Sequence, residues 1–153
     1  ITNNAGSLAF SAPVTFAGSG TTSTRNLKIQ HTGTSLLNNR INVAGSLDVS
    51  NGSLNANNNL TLLSSATSSA VIAPVAVGNS ITGKVTVQRY IPQGKRAFRF
   101  VTPSVTTDNF ISNNWQLATH ITGSTTGANG FDATGTGNPS LFTYNNQQAT
   151  GTG

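Results

Sequence analysis

Three aspartates, Asp48, Asp108 and Asp132, make up the whole acidic inventory of the chain; there is no glutamate. Glycoside hydrolysis needs paired carboxylates flanking one bond, and a calcium site needs several oxygens converging on one ion. Asp48 stands alone on the outward side of a strand pattern. Asp108 and Asp132 fall in loops with no second acid nearby, so all three read as turn and local hydrogen-bond residues. His31 and His120 are the two histidines, and with no cysteine neither has a partner at metal-ligand spacing. Serines and threonines are abundant, but no Gly-x-Ser-x-Gly elbow presents one as a nucleophile. Gly78-Asn79-Ser80-Ile81-Thr82-Gly83-Lys84 has the outline of a phosphate-cradling loop. Val85 stands where a magnesium-holding Ser or Thr is needed, and a strand pattern follows instead of a helix. These residues predict no catalytic site, no cofactor and no metal, and hence not an enzyme.

Contact chemistry is a different matter. Four of the eight cations, Arg89, Lys95, Arg96 and Arg99, share one short segment with Tyr90. Together they could grip an anionic glycan or a lipid headgroup. The competing reading, which we favour, is a pair of basic strands that hydrogen-bond carbonyls and discourage edge pairing. Trp115 and Tyr144 could stack on a sugar ring, although the single tryptophan of a block poor in large apolar residues is more often a core anchor. The candidate ligand or partner contacts are therefore Arg89, Tyr90, Lys95, Arg96, Arg99, Trp115 and Tyr144.

The elements that must position these side chains are short strands with a rhythm. Apolar residues alternate with polar ones in Leu8/Phe10, Val14/Phe16, Leu27/Ile29, Ile41/Val43, Leu47/Val49, Leu54/Ala56 and Leu60/Leu62, between corners of Asn, Gly, Ser and Thr. Leu8, Leu27 and Leu47 recur at about 20 residues, as do Thr22, Ile41 and Leu60, and Phe16 and Leu36. Units this short can bury an apolar face only by stacking on the next one. Strands return every ~6–7 residues, tighter than the ~8–12 typical of an antiparallel sandwich, and this favours a solenoid-like winding. Outward positions Thr15, Lys28, Asn42, Asp48, Asn55 and Thr61 form no regular threonine array, so an ice-binding face is not expected.

The rhythm breaks at Ser64–Ser69, and Pro74 places the apolar run 70–77 at an edge or bulge. Lys84–Ile91 is the longest strand pattern, and Ala97–Val101 is expected to pair back on it as a hairpin across Pro92-Gln93-Gly94-Lys95. Beyond this, aromatics appear between loops such as Gly123–Gly127, and Asp108–Ile111 has the pattern of a single helical turn. The expected fold is all-β: a short solenoid-like repeat region over residues 1–80, then a β-rich hairpin or sandwich block over 81–153.

Charged residues are 7% of the chain, far below the usual quarter, so polarity comes from neutral Asn, Ser, Thr and Gly. Scarce charge argues against disorder, which usually combines low hydrophobicity with high charge. The net charge of +5 comes without a helix-turn-helix or RNP-like motif, and no nucleic-acid partner is expected. No apolar run approaches the ~18 residues of a membrane helix. Ile1-Thr2-Asn3-Asn4 lacks the basic and apolar regions of a secretory signal, and the chain reads as a mature or trimmed piece of something longer.

Several strings carry a resemblance. They are Ile81-Thr82-Gly83-Lys84-Val85-Thr86-Val87-Gln88-Arg89-Tyr90-Ile91-Pro92, Lys95-Arg96-Ala97-Phe98-Arg99-Phe100, Asn113-Asn114-Trp115-Gln116, His120-Ile121-Thr122-Gly123, Ala128-Asn129-Gly130-Phe131-Asp132 and Gly137-Asn138-Pro139-Ser140-Leu141-Phe142-Thr143-Tyr144. Over roughly residues 35–146 the chain resembles large secreted, adhesin-like surface proteins of Bacteroidota exported by the type IX secretion system. In that family degenerate β repeats often precede such a block. The resemblance implies an extracellular or cell-surface location. The family's usual cleaved sorting domain is not seen in this sequence. The expected work is structural: self-association into a homopolymer by end-to-end β stacking or strand donation, or alternatively binding of a surface glycan.

Overall fold

The structure, a computed structural model, describes residues 2–94, 98–106 and 110–143. It is mainly β, and all its named strands pair in parallel. The chain divides into two compact units, Ile1–Val105 and Thr106–Gly153.

In the first unit, strands β1 (Thr2–Phe10), β3 (Thr21–Ile29), β5 (Arg40–Asp48), β7 (Leu60–Leu62) and β10 (Val85–Val87) line up in that order in one sheet. Strands β2 (Thr15–Phe16), β4 (Thr34–Leu37), β6 (Ser53–Asn55) and β9 (Ile81–Thr82) form a second. The short strand β8 (Val71–Ile72) joins the first sheet alongside β5. From β1 to β7 the chain alternates between the sheets, so each strand lies beside the one two elements earlier. Parallel neighbours need such a return path. An antiparallel sandwich, the alternative weighed from strand spacing, does not form.

The register converts the rhythm into columns. Leu8, Leu27, Leu47 and Ile72 pair successively. Thr22, Ile41, Leu60 and Val85 form a second column, and Thr24, Val43, Leu62 and Val87 a third. Ser35, Leu54 and Ile81 form one in the other sheet. The inner residues of both sheets make one core cluster that includes Leu27, Leu37, Ile41, Leu47, Leu54 and Leu60. Phe10 and Phe16 stack at its N-terminal end, with ring centroids 5.8 Å apart. Between the apolar columns one outward column is neutral, Ser23, Asn42, Thr61 and Thr86, while another sets Lys28 beside Asp48. One expected column is shifted: Phe16 pairs with Leu37, and Leu36 pairs with Thr15. Because side chains alternate across a strand, that single step puts Leu37 wholly inside and leaves Leu36 half-buried.

The long strands bend where their register shifts, at Asn3/Ser7 and at Thr24/Asn26. Asn26 holds three strands at this bend. Its Nδ2 donates to Ser7 Oγ at 3.2 Å, and its Oδ1 accepts from Ser46 N at 3.1 Å and Ser46 Oγ at 2.9 Å. Thr24 Oγ1 lies 3.0 Å from the carbonyls of Gly6 and Asn26. An opposite corner is closed by Asn57 and Asn58, both left-handed at φ 45° and 61°. Asn tolerates this conformation because its short amide bonds locally, here Asn55 Oδ1 accepting from Asn57 N at 3.1 Å. Gly52 is needed for space, since a Cβ there would lie 2.2 Å from the His31 carbonyl oxygen.

Two expectations at the end of the repeat are corrected. The boundary does not fall at residue 80, because β9 and β10 extend the two sheets of the first unit by pairing with β6 and β7. Nor does Lys84–Ile91 form a hairpin strand: β10 ends at Val87, and residues 98–101 are not in a strand. Val85 and Val87 complete apolar columns, and that burial aligns the segment with β7. Beyond it, the second unit is built of turns rather than a β sandwich. Among its described residues there are only 3-10 turns (Ile111–Asn113, Trp115–Leu117, Ala128–Gly130) and one bridge, Thr122 to Asp132. Glycines at φ +66° to +79° (Gly127, Gly130, Gly137) interrupt any longer strand.

The columns make a stability prediction. Leu47→Ala should destabilise the chain by about 2–5 kcal/mol, whereas Thr61→Ala should cost under about 0.5 kcal/mol. Urea unfolding followed by circular dichroism reads both.

Candidate functional site

The residues singled out for contact do not converge on one place among the described residues. Arg89 folds onto its own strand end, with Nη1 donating to the Gln88 carbonyl at 2.8 Å. Arg99 Nη2 donates to the Pro92 carbonyl at 3.0 Å. Both therefore bond to carbonyls, but not as the basic hairpin strands that the competing reading expected, since neither arginine lies in a strand. Tyr90 is exposed, and its backbone N–H donates to Ser64 Oγ at 2.9 Å. Trp115 belongs to the second unit and is 36% exposed, so it is not the core anchor its type favoured. Ile121 is instead the large apolar residue buried among that unit's described residues, its N–H bonded to the Asp132 carboxylate and its carbonyl to Asp132 N. Lys95, Arg96, Tyr144 and Asp108 lie outside the described residues.

The acids serve local structure. Asp48 Oδ1 accepts from Ser50 N at 2.9 Å. The Ser50 hydroxyl and N–H, with a smaller contribution from Lys28, hold its carboxyl below the ordinary value. Asp132 Oδ2 accepts from Ile121 N at 2.9 Å and lies 3.2 Å from Nδ1 of the exposed His120. The Ile121 N–H chiefly, then the Gln116 side chain and His120, lower its pKa from 3.8. His31 is buried, with Nε2 2.8 Å from Ser35 Oγ; its Nδ1 has no partner among the described residues. Ser35 Oγ in turn accepts from Val14 N at 3.3 Å, so this pair ties a corner together. No acid orients it as a catalytic couple would require. Among the described residues no three His, Cys, Asp or Glu side chains gather as a metal site would need. The phosphate-loop outline resolves into a turn leading to β9, with Gly83 at φ +77° pressed against the Asn57 backbone.

One expected feature now has its place, and one feature escaped the sequence reading. The first is the pair of open edges in the larger sheet, where β1 and β10 each have a strand on one side only among the described residues. Gln30 N donates to Phe10 O, and Gln88 N donates to Leu62 O, each pointing along the ladder. Since backbone groups alternate in direction, Ser7 and Ala9 at one edge, and Val85 and Val87 at the other, direct their N–H and C=O groups outward. Apolar alternation marks strands but not which strand is last. The second is a cavity of about 520 Å³ in the second unit, lined by residues between Phe110 and Phe131. Its one sequence signal is Asn129-Gly130, a left-handed pair.

No helix among the described residues is long and apolar enough to cross a membrane. No protein-family model, no curated protein and no solved structure matches the chain.

Asp132 predicts an acid-sensitive turn. A carboxyl with a depressed folded pKa contributes stability above its ordinary range, and that contribution is lost as pH falls through the folded value. The bond from Ile121 N–H to the Asp132 carboxylate should therefore persist at neutral pH and weaken only as pH falls through a folded value that lies below 3.8. Asp132→Ala should remove it at neutral pH. Amide exchange of Ile121 and Gly123, followed by NMR across pH, checks both.

Proposed function

We propose that the first unit is a short β-solenoid and that the protein is a non-enzymatic subunit of an extracellular filament. The observation that carries this reading is the pair of open, parallel-pairing edges at opposite ends of one sheet. β1 and β10 run in the same direction as the strands between them. A second copy can therefore set its β1 beside β10 and continue the ladder without reversing any strand. Such a contact is head-to-tail and does not close on itself, which is the condition for a filament. The neutral outward column of Ser23, Asn42, Thr61 and Thr86 ends on β10, so it brings no charge repulsion to the contact.

The resemblance to type IX-exported surface proteins of Bacteroidota supports an extracellular, adhesin-like setting for such a filament. Scarce charge and the absence of cysteine are compatible with this setting. The structural role asks nothing of the scattered acids and histidines.

Negative-stain electron microscopy and light scattering test the proposal. Concentrated wild-type protein should give filaments whose axial repeat is one subunit. Val87→Pro removes an outward donor from β10 while leaving the Gln88 bond to β7 available, so it should yield folded monomer. A wild-type chain that stays monodisperse, or a Val87→Pro variant that polymerises like wild type, rejects edge-to-edge assembly.

A further inference from the structure

The cavity of the second unit is built from chemistry that the structural role does not use. Its volume of about 520 Å³ falls in the range of small-molecule sites, about 300–1,000 Å³, but it is an open depression with no buried lining residue. Two phenylalanines face it. Phe110 is 80% exposed, and Phe131 is held from behind by Gly123, where an added Cβ would lie 2.8 Å from Phe131 Cβ. Three neutral polar side chains, Ser112, Gln116 and Asn129, complete the recognition surface. None of the lining residues is charged.

The polar groups are placed rather than incidental. Gln116 is near enough to the Asp132 carboxylate to help lower its pKa, and its side-chain amide can both donate and accept. Asn129 is set at φ +60°, between Gly127 at +66° and Gly130 at +79°. The loop is pinned by Ser124 Oγ accepting from Ala128 N at 3.1 Å and by Phe131 N donating to the Ala128 carbonyl at 3.4 Å. Left-handed backbone at a non-glycine residue is uncommon and gathers at ligand clamps. The amide of Asn129 and the hydroxyl of Ser112 make no hydrogen bond among the described residues.

We propose that this cavity binds a neutral saccharide unit. A sugar ring offers an apolar C–H face for an exposed phenyl ring and hydroxyls that both donate and accept, matching two amides and a serine hydroxyl. A purely apolar occupant would desolvate those three polar groups without satisfying them. An anionic or cationic ligand would find no charged lining residue to pair with it. The site shares no residue with the open sheet edges, so its test is separate from that of filament assembly.

The test is a titration of the full ¹⁵N-labelled chain with glucose, galactose, mannose and N-acetylglucosamine, and in parallel with glucuronic acid and a sulfated sugar. At least one neutral sugar should shift resonances of residues 110–131 and bind better than the anionic ones. Phe110→Ala and Asn129→Gly should each weaken that binding by about tenfold or more. Asn129→Gly is the safer variant, because glycine adopts positive φ readily and the loop keeps its shape while losing the amide. The proposal is overturned if no neutral sugar perturbs these residues or if Asn129→Gly binds as wild type. Preference for the anionic sugars overturns it too, as does an apolar peptide shifting the same resonances where sugars do not.

Discussion

The first unit depends on one constraint: every strand must lie parallel and in register with a strand 19 to 27 residues away. A two- to nine-residue strand has little to bury by itself. In register, Leu8, Leu27 and Leu47 pair across neighbouring strands, and the backbone ladder runs through all of them. A slip of one residue would turn every apolar side chain to solvent. The amide of Asn26, bonded to Ser7 on one side and Ser46 on the other, reinforces that alignment where the strands bend.

This dependence explains how much could be read beforehand. The columns of Leu8 and Thr22 were legible because alternation and a constant spacing are both written in residue type. The pairing of Phe16 was misplaced by one position because Leu36 and Leu37 are chemically alike, and the corner before them decides which faces inward. The end of the repeat was placed too early because Ser64–Ser69 interrupts the pattern locally, while Ile81, Val85 and Val87 resume the columns. The second unit was least legible. Its turns are fixed by side-chain bonds such as Ser140 Oγ to Thr122 N, which leave no periodic trace.

The candidate site was read unevenly for the same reason. That the acids serve local bonds could be inferred from their isolation, and Asp48 and Asp132 do so. The aromatic and basic residues promised a shared surface, yet Arg89 and Arg99 turn onto nearby carbonyls, and Arg99 and Trp115 belong to different units. The cavity is lined instead by Phe110, Gln116 and Asn129, residues whose types are unremarkable until a left-handed turn gathers them. Chemistry carried by neutral amides and phenyl rings leaves a fainter mark on a sequence than clustered acids or histidines do.

The excursion between β7 and β10 has a consequence of its own. Leu60 pairs with Val85, so the chain inserts extra residues at that layer, sends β8 back beside β5, and still resumes the same columns. Ser64 and Ser69 pair early in this detour, and Ser65 caps the tight turn between them. A corner that absorbs added length without disturbing the ladder is a natural place for lineages to diverge. It is equally a place to graft a foreign epitope, which an ordered array of copies would then display at fixed spacing.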